Sequence, residues 1–212
     1  MVSALQVTES VPGAPIRPAA TVVLTRTTGS GHQVLMGQRG AAAAFMPSKY
    51  VFPGGAVDAG DDLPSPLPLA EDCARRLALS APPGPLCAAA LRELREETGL
   101  ALRADRPSLR FVFRAITPPG RTRRFDAMFF LADAADVTGD TTGFSDASDE
   151  LSHLHWIGLA EARALDLPFI TEVVLAELAA LIRVAGDGPL LQPASVPFFD
   201  NRDANPRFTR ID

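Results

Sequence analysis

Three carboxylates, Glu93, Glu96 and Glu97, stand at i, i+3 and i+4 in the stretch Leu91-Arg92-Glu93-Leu94-Arg95-Glu96-Glu97-Thr98-Gly99-Leu100. On a helix at about 100° per residue they fall within an arc of roughly 100° and share one face. Carboxylate oxygens grouped in this way suit a hard divalent cation. Leu91 and Leu94 point elsewhere and can hold the helix on a core. Gly99 is suited to a left-handed cap just past the last turn, which puts the acids near the negative end of the helix dipole. There they repel one another at a cost of a few tenths of a kcal/mol each, a cost that a bound cation reverses. A solvated acidic helix face is the plain alternative, so the triplet needs a second feature beside it.

That feature lies upstream. After the apolar run Tyr50-Val51-Phe52 and Pro53, the pair Gly54-Gly55 permits a sharp turn and a close backbone approach to a ligand. The carbonyls of Gly54 and Gly55 are candidate metal oxygens, and Phe52 is a candidate substrate contact. Gly55, five residues, the acid Asp61 and, later, Arg92-Glu93-Leu94-X-Glu96-Glu97-X-Gly99-Leu100 together resemble the box of the Nudix hydrolases. Two departures are plain. Asp61 stands where Glu is usual, and residues 62–91 stand where about seven are usual, an insertion of roughly 23.

The resemblance implies an α/β fold, a Nudix-type α/β/α sandwich with a mixed sheet. It implies Mg²⁺ or Mn²⁺ as cofactor and hydrolysis of a diphosphate linkage in a small nucleoside diphosphate derivative. Under it Glu96 and Glu97 are the principal metal ligands, and Glu93 is a further ligand or the base. Arg92 orients a Glu by ion pairing. The run from Phe45 to Asp61, the insertion, and Arg123-Arg124-Phe125-Asp126 followed by Phe129-Phe130 resemble the acyl-CoA diphosphatase branch. The insertion is shorter than in that branch, and a Leu-Leu-Thr-X-Arg start is missing. ADP-ribose, NADH and nucleotide sugars stay open as substrates, as does a Nudix-fold module that senses a nucleotide without cutting it.

The elements that must position these residues can be read in outline. Runs of β character at 21–26 and 33–39 flank Thr28-Gly29-Ser30-Gly31 and form a hairpin. Arg39 ends its second strand, as a phosphate contact or an edge-strand charge. Residues 40–47 form an Ala-rich loop, either a wall over a ligand or a loop packed on itself. The insertion at about 62–86 contains a helical stretch at 70–79 and is expected at the mouth of the site. Pro85 is placed to start the acidic helix. Strands at 109–116 and 123–132 turn about Pro118-Pro119-Gly120. Arg121, Arg124 and Asp126 near this turn are substrate-binding candidates, since guanidinium groups bind phosphate bidentately. A flexible polar loop at 133–148 leads to Glu150, a candidate extra ligand or base, and then to a strand at 151–157. A helix at 169–184 carries an apolar stripe. The boundaries are a flexible lead-in at 1–18, one domain at 19–186 and a tail at 187–212 docked through Phe198-Phe199.

Composition bounds the rest. The chain has 212 residues, 47% of them apolar, enough for one real core. A net charge of −5 argues against nucleic acid as the main partner. No apolar run reaches membrane-spanning length and no signal peptide is evident, so a cytoplasmic protein that avoids membranes is expected. Cys73 and Cys87 read as reduced, partly buried thiols. A homodimer is implied by the resemblance, since many Nudix relatives pair.

Overall fold

The computed structural model describes residues 13–186, 192–203 and 205–212. Its central strand is β1 (Ile16–Thr28), in which Val22, Val23, Leu24 and Thr25 are buried in succession. A run buried on both sides means that both faces of the strand are covered. Val22 and Leu24 enter one apolar layer with Leu86, Ala90 and Leu94 of helix α2 (Pro83–Thr98). Val23 enters the other with Val174, Leu175 and Leu178 of helix α4 (Phe169–Ala185). Helices therefore lie on both faces of one sheet. The remaining elements are β2 (Gly31–Arg39), β3 (Tyr50–Val51), β4 (Gly54–Ala56), α1 (Glu71–Ala78), β5 (Ala101–Leu102), β6 (Arg110–Ile116), β7 (Arg124–Asp133), β8 (Val137–Thr138), β9 (Leu151–Gly158), α3 (Leu159–Ala162), β10 (Val196–Asp200) and β11 (Arg207–Ile211).

The main sheet runs β11-β10-β6-β7-β1-β2-β3, with β4 also on β1 and β9 also on β2. Pairs β1–β7 and β6–β10 are parallel and the others antiparallel, so the sheet is mixed and the fold is the α/β/α sandwich expected. One edge of β1 is divided between two partners. Ala19, Ala20 and Thr21 pair with β4, whereas Thr25 to Thr28 pair with β2. This division holds the double-glycine segment in the sheet beside the hairpin.

The structure amends several expectations. β1 begins at Ile16 and pairs with β7 from Arg124 on, so residues 16–18 belong to the sheet and not to a lead-in, while residues 1–12 lie outside the described residues. The acidic helix starts at Pro83, two residues before Pro85, since both prolines fit a first turn whose N–H groups need no partner. It ends at Gly99, which adopts φ 72°. The insertion packs one side of itself on the core. Leu69, Cys73 and Leu77 are buried, and Phe111 N–H donates to Cys73 Sγ at 3.0 Å, which draws α1 onto β6 and α2. Arg76 donates to the carbonyls of Pro193 and Ala194, both at 2.9 Å. Burial pushes the thiols of Cys73 and Cys87 up to about 11 and about 12.

The loop after β8 is tied down and not free. Phe144 is buried, Trp156 Nε1–H donates to the Thr141 carbonyl at 2.7 Å, and Asp140 accepts from the N–H groups of Thr142 and Gly143. The tail adds β10 and β11 to the sheet, and residues 187–191 lie outside the described residues. Among the described residues no helix is long and apolar enough to cross a membrane.

Candidate active site

Helix α2 turns Glu93 and Glu97 inward against β4. Gly54 N–H donates to Glu97 Oε2 at 2.8 Å, and Glu97 is 1% exposed. Its other oxygen, Oε1, is buried without a hydrogen-bond partner. A buried carboxylate short of partners resists ionisation. Burial first, then the charges of Glu93 and Glu150, push Glu97 up to about 8 against the opposing Gly54 hydrogen bond. Burial also raises Glu93, although Arg92 opposes the shift.

The glycines are sterically required. A Cβ on Gly55 would stand 2.3 Å from Glu93 Oε1, and one on Gly54 would stand 2.5 Å from the Ala20 carbonyl oxygen. Any side chain here would displace either the acid or β1.

Arg92 joins the two halves of the motif. Its Nε and Nη2 donate to the two oxygens of Asp61, both at 2.9 Å. Nη1 donates to Glu93 Oε1 at 2.8 Å and to Glu96 Oε2 at 3.0 Å, and Nη2 also donates to the Ala56 carbonyl at 3.0 Å. A planar fork of donors fits this arrangement and an ammonium would not. The Arg92 hydrogen bond holds the Asp61 carboxyl below the usual range, and the acids in turn raise Arg92. Glu96 is exposed and turned to Arg92, so the three acids of the helix do not converge on one point. Among the described residues no three His, Cys, Asp or Glu side chains form a ready cation cage.

Glu150 reaches the same corner from the loop. Ser148 N–H donates to the Glu96 carbonyl at 2.9 Å, which docks the loop on the last turn of α2. Glu150 stays 56% exposed, accepts from Arg39 Nη2 at 3.2 Å, and its charge raises both Glu93 and Glu97. Arg39 favours the ionised form of Glu97. Strands β2 and β9 pair Arg39 with Leu151, which explains how distant residues meet here.

Other sequence candidates lie elsewhere. Phe52 is 3% exposed and packs in the α4 layer, because its strand neighbours turn it inward. Arg124 is buried and donates to the carbonyls of Thr117, Asn201 and Arg202, so it holds the β10–β11 turn and has no fork left for phosphate. Asp126 accepts two hydrogen bonds from Arg114, at 2.8 and 2.7 Å, and Arg114 lies over the Phe198 ring. Arg121 is exposed in the turn before β7. Sequence reasoning passed over Asp58, 3.7 Å from Arg92 Nη2, and the Ala56 carbonyl. The carboxylate three residues before Asp61 was the available signal for Asp58.

Residues 85–178 match the family model described as the NUDIX domain. No curated protein matches the chain significantly. Among solved structures, a NUDIX hydrolase from Alicyclobacillus acidocaldarius is 24% identical with a TM-score of 0.59, over 85% of this chain and 99% of that one. A Nudix hydrolase from M. smegmatis is 19% identical with a TM-score of 0.51, over 84% and 90%. A MutT protein from Methanosarcina mazei is 16% identical with a TM-score of 0.52, over 84% and 100%. Likeness at this identity establishes a shared fold.

Proposed function

We propose that this protein is a Nudix hydrolase that cleaves a diphosphate linkage in a nucleoside diphosphate derivative, with Mg²⁺ or Mn²⁺ as cofactor. The observation that carries the reading is Glu97: sealed from water, with one oxygen unpaired, beside Glu93 and against a turn only glycine can make. Desolvation of a carboxylate is costly unless a cation shares it. The donor set is all oxygen, which fits a hard cation. Glu93, Glu97 and a carbonyl of Gly54 or Gly55 would hold the metal, with Glu96 joining them on release from Arg92. When bound, such cations screen phosphate oxygens, lower the pKa of water and stabilise a leaving phosphate.

The protein's own side chains supply the rest. Arg92 fixes Glu93 and ties the helix to Asp61, so the acids keep their place when a polyanion approaches. Arg39 offers a guanidinium at the site edge for a phosphate oxygen, exchanging Glu150 as partner. Glu150 is assigned the proton of the attacking water; its exposure and its influence on both buried acids support this. Arg121, on its exposed turn, is kept as an outer phosphate contact.

For the substrate we assign CoA or an acyl-CoA. Support comes from the branch resemblance and from residues 40–47, which carry no charge and leave Ala41, Ala42 and Ala44 exposed between Arg39 and the double-glycine turn. Metal-dependent product release across CoA esters, ADP-ribose, NADH and nucleotide sugars tests both levels. Turnover of none defeats the enzymatic reading; turnover that prefers ADP-ribose or a nucleotide sugar defeats the CoA assignment alone.

A further inference from the structure

A groove of about 640 Å³ runs between the outer face of α2 and the loop that follows β8. That is the size of a site for a small ligand. Leu91 and Ala147, both packed against the apolar layer of α2, give it a floor. Arg95, Asp146 and Ser148 line it as exposed polar groups. It also takes in Arg92 and Glu96, so it is continuous with the acids of the candidate active site.

The walls of the groove are fixed. Ala147 N–H donates to the carbonyl of the buried Phe144 at 3.0 Å, and Ser148 N–H holds the Glu96 carbonyl at 2.9 Å. A Cβ on Gly99 would stand 2.8 Å from Asp146 Cβ, so the loop lies directly on the cap of the helix. A ligand meets a preformed surface here and has little to order on binding.

The two arginines of the groove differ. Arg92 has its donors taken by Asp61, Glu93, Glu96 and the Ala56 carbonyl. Arg95 stands three residues on, about 5–6 Å away at Cβ. It is exposed, and among the described residues its side chain has no hydrogen-bond or ion-pair partner. Its charge suits the last turn of α2, and the helix dipole alone would account for a cation there. The dipole does not account for the apolar floor beside it, or for the carboxylate and hydroxyl that share its groove. An apolar floor suits the face of a nucleobase. A carboxylate accepts from ribose hydroxyls or an exocyclic amine, and a guanidinium forks onto phosphate. Asp146 repels a phosphate, so the groove sorts its ligand, with hydroxyls at Asp146 and phosphate at Arg95.

We infer that this groove is the subsite for the nucleoside of the substrate, in which Arg95 binds a phosphate that stands outside the cleaved diphosphate. The inference rests on the hydrolase reading above for the chemistry at Glu96, and adds which part of the substrate lies beside it. A diphosphate whose ribose carries a further phosphate, as that of CoA does, matches the groove. ADP-ribose and NADH have no such phosphate and leave Arg95 without a partner.

Two measurements test this. Hydrolysis of CoA is compared with that of dephospho-CoA, which lacks only the ribose phosphate. In the wild type kcat/KM should favour CoA at least ~10-fold, through KM. Arg95→Gln should erase that preference, and Arg95→Lys, which keeps the charge, should retain most of it. Calorimetry in Mg²⁺ reads the subsite without turnover. The wild type should bind adenosine 3′,5′-bisphosphate at least ~10-fold more tightly than adenosine 5′-monophosphate, and Arg95→Gln should bind the two alike. A wild type that binds both nucleotides equally overturns the inference. So does a preference that survives in Arg95→Gln, the result expected if Arg95 serves only the helix dipole and its loss lowers Tm alone. A protein that cleaves no diphosphate, yet binds the bisphosphate through Arg95, defeats the hydrolase reading and upholds the subsite.

Discussion

Replacing Glu97 with Gln should abolish turnover and yet stabilise the metal-free protein at alkaline pH. Burial sets the Glu97 carboxyl at about 8 in the folded chain against 4.5 for a free glutamate. Between those values the native state binds more protons than the unfolded state, so unfolding free energy falls as pH rises through that window and levels off above it. At ~1.4 kcal/mol per pH unit the upper limit of the cost is about 5 kcal/mol. Local relaxation, and the new amide NH₂ standing where Oε1 has no partner, bring the expected gain of the variant to about 2 kcal/mol. Gln still offers an oxygen to Gly54 N–H, so the 2.8 Å hydrogen bond is kept. Urea unfolding in EDTA at pH 5 and pH 8.5 reads this directly. The two proteins should be nearly equal at the lower pH, and the variant should be the more stable at the higher. Added Mg²⁺ should then raise the wild type and leave the variant close to where it was. A variant less stable than wild type at pH 8.5, or equal stabilisation of both by Mg²⁺, refutes the reasoning.

Three further outcomes are expected. Gly55→Ala pushes a methyl into Glu93 and should cut kcat at least ~100-fold, with circular dichroism unchanged and only a small drop in Tm. Arg92→Lys cannot reproduce two contacts to Asp61 together with those to Glu93, Glu96 and Ala56, and should lose ~10- to 100-fold in kcat/KM, measured at saturating Mg²⁺. Arg124→Ala leaves three backbone carbonyls without their donor and should cost about 2–4 kcal/mol in urea unfolding, while KM stays as it was.

Legibility in the sequence followed the range of the interactions. The acidic helix and its Gly99 cap could be read because each is set by neighbours within a turn or two, and the double glycine because that residue pair signals a close approach whatever its partner. The order of strands and helices fitted a mixed sheet between helices, and the sandwich followed from the resemblance of the motif. Arg124 could not, since its partners Asn201 and Arg202 lie 77 and 78 residues away. Phe52 and Asp126 failed for a related reason. Whether an aromatic or an acid faces a cleft or a neighbour is decided by the strand beside it, here β7 against β6 for Asp126 and Arg114. The core contacts of the insertion were hidden as well: Leu69, Cys73 and Leu77 give it a buried face that proline-rich flanks do not announce.

The clasp between Asp61 and Arg92 closes the stretch 62–91 at its two ends. Once a stretch is pinned at its base, its length hardly matters, since doubling a loop costs only about 0.6 kcal/mol. The exposed residues 64–66, ahead of the buried Leu69, are therefore a permissive place to graft a peptide tag or a small folded module. Cargo carried there should leave the acids where they stand.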